Sequence, residues 1–203
     1  MSVLLVAVQT LTNLVIVPPG PGLPSGWRLT HIEGVEAPAF EVTRTHTLRI
    51  VAIGQGGTAT YRLRSPIPAP ASLRQGILTW RWRAGTPLRG ADLKRKTDDD
   101  SPIRVVVTFQ DGRTIAYAWG NRESRGESFP SWAGRNRMIV VLQRAEDADG
   151  SWHEERRDPF SDYRRLWNHA PKPIVAVGFS SDSDGMKARA VAEVGDLTWL
   201  GPR

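Results

Sequence analysis

Three sets of side chains in this sequence have the types and spacing that chemistry needs. The first is acidic: Asp98, Asp99, Glu154, Glu155, Asp158 and Asp162. Two carboxylates facing one bond run glycoside hydrolysis when they stand about 5–9.5 Å apart. In an arginine-rich chain, salt bridging is the competing use of the same groups. The second set is Asp98-Asp99-Asp100 with Asp182-Ser183-Asp184-Gly185. Asp182 and Asp184 offer oxygens of the kind calcium collects, six to eight at a time. The tetrad is equally a turn former, and a second Asp-Xaa-Asp-Gly stands at 147–150. Calcium is the one cofactor these residues suggest.

The third set joins an arginine to aromatics. Arg104 interrupts the apolar run Ile103 to Phe109. A lone guanidinium is costly to bury without a carboxylate partner. Asp98 and Asp99, in the loop just before, are the expected partners. In Ile115-Ala116-Tyr117-Ala118-Trp119 the large residues share one strand face and the small ones the other. If the alanines press into the core, Tyr117 and Trp119 stand on an outer or concave face. Exposed aromatic faces stack sugar rings while polar neighbours take the hydroxyls. The opposite orientation places both in the core.

Several chemistries are excluded. The chain has no cysteine, so disulfides, Cys–zinc sites, iron–sulfur clusters and thiol nucleophiles are out. His31, His46, His153 and His169 lie far apart, and His153-Glu154-Glu155-Arg156 lacks the second histidine of a zincin. There is no Gly-Xaa-Ser-Xaa-Gly elbow. Gly54-Gln55-Gly56-Gly57-Thr58 lacks the lysine of a P-loop. The net charge of +6 suggests anionic partners. No recognition helix, zinc finger or RNP pattern accompanies it, so nucleic acid is not the expected partner.

The elements that position these groups read as β. The 203 residues include 19 Gly and 15 Pro, a rate of punctuation that suits strands and turns. Candidate strands are 40–43, 47–53, 58–64, 77–84, 103–110, 114–119, 138–143, 174–180 and 188–200. Asp111-Gly112 between two of them is a hairpin signal. One helix is expected after Asp158, with Pro159 in its first turn and Phe160, Tyr163 and Trp167 on one face. Thr86–Ser101 and Gly120–Asn136 are long polar loops of the kind that carry function. The reading is an all-β, antiparallel β-sandwich of jelly-roll type with one short helix. The charge excess lies in residues 1–90, which hold nine Arg against three Glu. Arg62 and Arg64 alternate with apolar residues, as do Arg81 and Arg83. One arginine patch results if those two strands share a sheet.

Residues 1–23 form a first strand or a vestigial export segment followed by a Pro/Gly linker. They lack the basic start of a signal peptide, and they are too short and polar for a membrane span. Residues 24–203 make a single sandwich domain.

The order and spacing of several pieces resemble the bacterial domain-of-unknown-function family 3047. They are Leu78 to Arg83, Lys96-Thr97-Asp98-Asp99, Ile103 to Val107, Ala116 to Trp119, Trp152 to Arg157, Asp162-Tyr163-Arg164, Ser181 to Asp184 and Ala192 to Leu197. The resemblance covers roughly residues 24–200. It implies a sandwich similar to carbohydrate-binding modules, and an exported protein, periplasmic or secreted. The family tends to have Asp-Thr-Asp-Asn-Thr where this chain has Asp182-Ser183-Asp184-Gly185-Met186. The resemblance also adds Arg156 to the motif positions. The expected ligand-binding set is therefore Asp98, Asp99, Arg104, Tyr117, Trp119, Arg156 and Asp162, converging on a ligand or bracing loops. The expected function is non-catalytic binding of a polysaccharide or oligosaccharide, cell-envelope or acidic. The alternative is a glycoside hydrolase or polysaccharide lyase.

Overall fold

The computed structural model describes residues 6–31, 33–70 and 76–202. Two sheets face each other across an aromatic core. Sheet A runs β1 (Val6–Thr10), β15 (Thr198–Pro202), β7 (Ile77–Ala84), β14 (Arg189–Val194), β5 (Leu48–Ile53), β4 (Ala39–Val42) and β2 (Gly20–Pro21), with β12 (His153–Arg157) on the free edge of β7. Sheet B runs β10 (Ser128–Ser131), β11 (Gly134–Gln143), β9 (Thr114–Trp119), β8 (Ser101–Phe109), β13 (Ile174–Asp182), β6 (Gly56–Ile67) and β3 (Trp27–His31). The fold is the expected β-sandwich, with one departure: β11 and β9 are parallel.

Local signals explain much of this. Asp111-Gly112 closes the β8–β9 hairpin, with Gly112 at φ 82. Asp158 caps α1 (Pro159–Trp167) by accepting from the amides of Phe160 and Ser161 at 3.1 and 3.0 Å. The expected strand 188–200 is two strands. The chain breaks at Gly195-Asp196-Leu197, where Asp196 accepts from Thr12 Oγ1 and the Leu14 amide at 2.7 Å each. Those bonds fasten residues 11–16 to the sandwich, so the segment before Pro18 lies against sheet A and β1 extends it at β15.

The alternation of Trp80 and Trp82 with Arg81 and Arg83 points the tryptophans inward. Trp80 meets Tyr117 and Trp82 meets Trp119, each pair with centroids 5.5 Å apart. A second apolar layer lies on the far side of sheet B. There Leu93, Val106, Ala116, Ala118, Ile139 and Val141 pack together with Phe129 against them. The two long loops make that layer. Buried Glu123 ties them, accepting from the amides of Leu93 and Asn121 at 2.5 and 2.9 Å. The strands carrying Arg62 and Arg81 fall in different sheets, so the single arginine patch is replaced by two separate faces. Among the described residues no helix is long and apolar enough to cross a membrane.

Candidate functional site

The β8 alternation sends Ile103 and Val105 inward and Arg104 out of the sandwich. Its cross-strand neighbours are Ser180 on β13 and Ala118 on β9. Arg104 is nonetheless only 7% exposed. The incoming loop folds over it, and its Nη2 donates to the backbone carbonyl of Asp99. Its Nε is buried and has no acceptor. Beside it opens a cleft of about 220 Å³, with Thr30, Thr58, Asp99, Arg137, Ser180 and Asp182 on its walls.

The charges in and around this cleft act on one another. Burial pushes the Asp182 carboxyl up to about 8, and Asp184 and Asp100 add to the rise against the pull of Arg104. Burial also raises Asp99, opposed by Arg104. Burial lowers the Arg137 guanidinium, and repulsion from Arg104 lowers it further. Near neutrality Asp182 is mostly protonated. Arg104 and Arg137 share this region with Asp99, Asp100 and Asp184, so both signs of charge meet here.

Asp100, Asp182 and Asp184 bring carboxylate oxygens within 4.8 Å of one another. Asp100 belongs to the three-aspartate run in which the sequence offers oxygens to a metal. Both its oxygens are engaged, accepting from the amides of Gly185 and Met186 at 3.1 and 2.7 Å. Each Asp100 oxygen keeps a lone pair, and three carboxylates fall short of calcium's six to eight oxygens unless carbonyls or waters complete the set. The site residues that sequence reasoning missed are Arg137 and Ser180. Neither carries a local signal, because only the pairing of β11, β9, β8 and β13 brings them to Arg104.

The other expected residues are dispersed. Tyr117 and Trp119 are fully buried at 0% exposure, which corrects their assignment to a ligand face. Both faces of β9 are covered, the aromatic one by sheet A and the alanine one by the loop layer. Trp119 Nε1 donates to the Arg144 carbonyl at 2.8 Å. Asp162 is a core brace and not a ligand contact: it accepts from the Tyr117 hydroxyl at 2.8 Å and from Arg157 Nη2 at 2.7 Å. Arg156 is exposed on the outer face of sheet A, across the sandwich from Arg104. Asp98 pairs with Arg95 at 3.3 Å and does not reach Arg104. Asp99, Arg104 and Asp182 are the expected residues that meet.

A two-sheet β-sandwich with a polar cleft on one outer face is the class this geometry defines. Residues 25–198 match the family described as a protein of unknown function, DUF3047, and the chain belongs to that family. No curated protein matches it. Among solved structures it is similar to the xyloglucanase domain of NopAA, a type three effector from Sinorhizobium fredii, in complex with cellobiose. That likeness covers 97% of this chain and 99% of the other, at 8% identity and a TM-score of 0.51. The family 29 carbohydrate-binding module CBM29-2, as a mutant with cellulohexaose, matches over 97% and 92% at 10% identity and a TM-score of 0.46. The family 11 carbohydrate-binding module of a Clostridium thermocellum cellulase matches over 100% and 97% at 11% identity and 0.46. At these identities the likeness is one of fold.

Proposed function

We propose that this protein is a non-catalytic carbohydrate-binding domain whose cleft at Arg104 takes a sugar bearing a carboxylate, as in an acidic polysaccharide of the cell envelope. One observation carries the reading. Arg104 and Arg137 both line one open cleft on the outer face of sheet B. Two guanidiniums in one cleft offer the forked donors that fit a carboxylate. A uronate supplies that carboxylate. Thr58, Ser180 and Asp182 suit the ring hydroxyls. At about 220 Å³ the cleft admits one sugar unit, a chain end or a branch. Envelope polysaccharide places the protein in the periplasm or outside the cell.

A second reading, glycoside hydrolysis, rests on Asp182. Protonated near neutrality beside Asp99, it has the state of a general acid next to a base. A lyase using Tyr117 has no support, because that hydroxyl is buried and committed to Asp162. A panel of acidic and neutral polysaccharides, read for retention and for released reducing ends, separates the two. Retention of the acidic members without reducing ends is expected. Release of reducing ends would overturn the non-catalytic reading.

A further inference from the structure

The outer face of sheet A, opposite the Arg104 cleft, carries a longer trough. Two hollows of about 600 and 500 Å³ adjoin at Thr45. Register lays a row of alternating charge across it: Arg83 on β7 is opposite Glu193 on β14, Glu193 is opposite Arg49 on β5, and Arg49 is opposite Glu41 on β4. Arg83 Nε donates to Glu193 at 2.9 Å and Arg49 approaches Glu41 at 3.8 Å, so these charges cancel. At the end of the row stands Trp152. The guanidiniums of Arg81 and Arg83 each lie 4.8 Å from its ring centroid.

Among the described residues Arg44, Arg81 and Arg156 make no ion pair. Glu154, Glu155 and Asp196 share the second hollow with Arg81 and Arg156. A guanidinium over an indole face keeps N–H groups free for a second partner, in the fork that fits a carboxylate. From this we infer that the trough is a second binding face, and that its ligand is an extended acidic polysaccharide of the polyuronate kind. A nucleic acid presents one negative charge per about 1.7 Å of duplex and wants an unbroken cationic track. The interleaved Glu41, Glu154 and Glu193 oppose such a density. They suit a polymer whose charges are spaced apart and whose hydroxyls need acceptors.

The inference shares its ligand class with the Arg104 reading but stands on different residues. The test is affinity electrophoresis of the whole protein in gels containing polygalacturonate, with a dT oligonucleotide as competitor. It compares wild type, Arg81→Gln/Arg156→Gln and Arg104→Ala, each checked for a wild-type thermal melt. Both altered arginines of the double variant are exposed, which keeps the fold out of the comparison. The trough predicts a loss of retardation of about tenfold per arginine in the double variant, the size of one charge-assisted hydrogen bond. If only Arg104→Ala loses retardation, the trough falls and the cleft reading stands. If only the double variant loses it, the trough stands and the cleft reading falls. Loss in both supports both sites. Loss in neither, no retardation of wild type, or displacement of wild type by the oligonucleotide overturns the trough.

Discussion

The hydroxyl of Tyr117 donates to Asp162 Oδ2 at 2.8 Å, in the interior where α1 closes over β9. Asp162 also accepts from Arg157 and, at 3.1 Å, from Arg165. One carboxylate thus ties the helix, β12 and β9 together. Burial and the neighbouring carboxylate hold the Tyr117 phenol above its usual range, so it is a donor at any working pH. Tyr117→Phe should cost about 1 kcal/mol, the worth of one hydrogen bond. Asp162→Ala should cost about 3 kcal/mol, because it orphans Arg157 as well. Urea denaturation followed by tryptophan fluorescence reads both. A neutral Asp162→Ala would show the brace to be idle.

Asp158 accepts two amides at the start of α1. Asp158→Ala should lower stability by about 1 kcal/mol, while Asp158→Ser should recover most of it. Denaturation midpoints of the pair decide the matter. Equal midpoints for wild type and the alanine variant would remove the cap from the account.

Asp182 makes stability depend on pH. Its carboxyl is raised from 3.8 to about 8. Below the unfolded value both states are protonated and its contribution is fully present. The contribution fades as pH rises toward about 8, because the unfolded chain ionises more readily. Asp182→Asn should therefore match wild type near pH 4 and exceed it at pH 8 by several kcal/mol. Denaturation at the two pH values tests this. A gap that is constant with pH would contradict it.

The same titration should reach the ligand. When Asp182 ionises, a negative charge enters the cleft beside the sugar carboxylate. Affinity for a uronide should fall about tenfold between pH 6.5 and pH 9, the scale of one added like charge. A neutral glycoside should show no such fall in the same titrations. Parallel curves for the two would locate the uronide away from Asp182.

How far the sequence leads differs between fold and site. The Asp111-Gly112 hairpin, the Asp158 cap and the Trp80/Trp82 alternation are local signals, and the structure follows them. Arg104 was conspicuous for the same reason, as a charge in an apolar strand. The orientation of β9 was not local. Its large and small faces are plain in Tyr117 and Ala118, but which one meets the other sheet depends on what covers the second. Leu93 does so from a loop and Phe129 from the short edge strand β10, in segments whose overall polarity hid them. Val106, apolar in the same phase as Arg104, was the available sign that this strand is buried on both faces. Arg137 and Ser180 join the cleft through strand pairings that no short window contains.

The most direct test of the Arg104 cleft is calorimetric titration with methyl glucuronide and methyl glucoside, on wild type, Arg104→Ala and Arg104→Lys. Wild type should bind the glucuronide in preference to the glucoside. Arg104→Ala should lose at least about tenfold, and Arg104→Lys should recover only part, because an ammonium keeps the charge but not the planar fork. Thermal melts of the three show whether each variant is folded at the titration temperature. Equal affinity of wild type for the two sugars, or glucuronide binding unchanged in a folded Arg104→Ala, would contradict the assignment of this cleft.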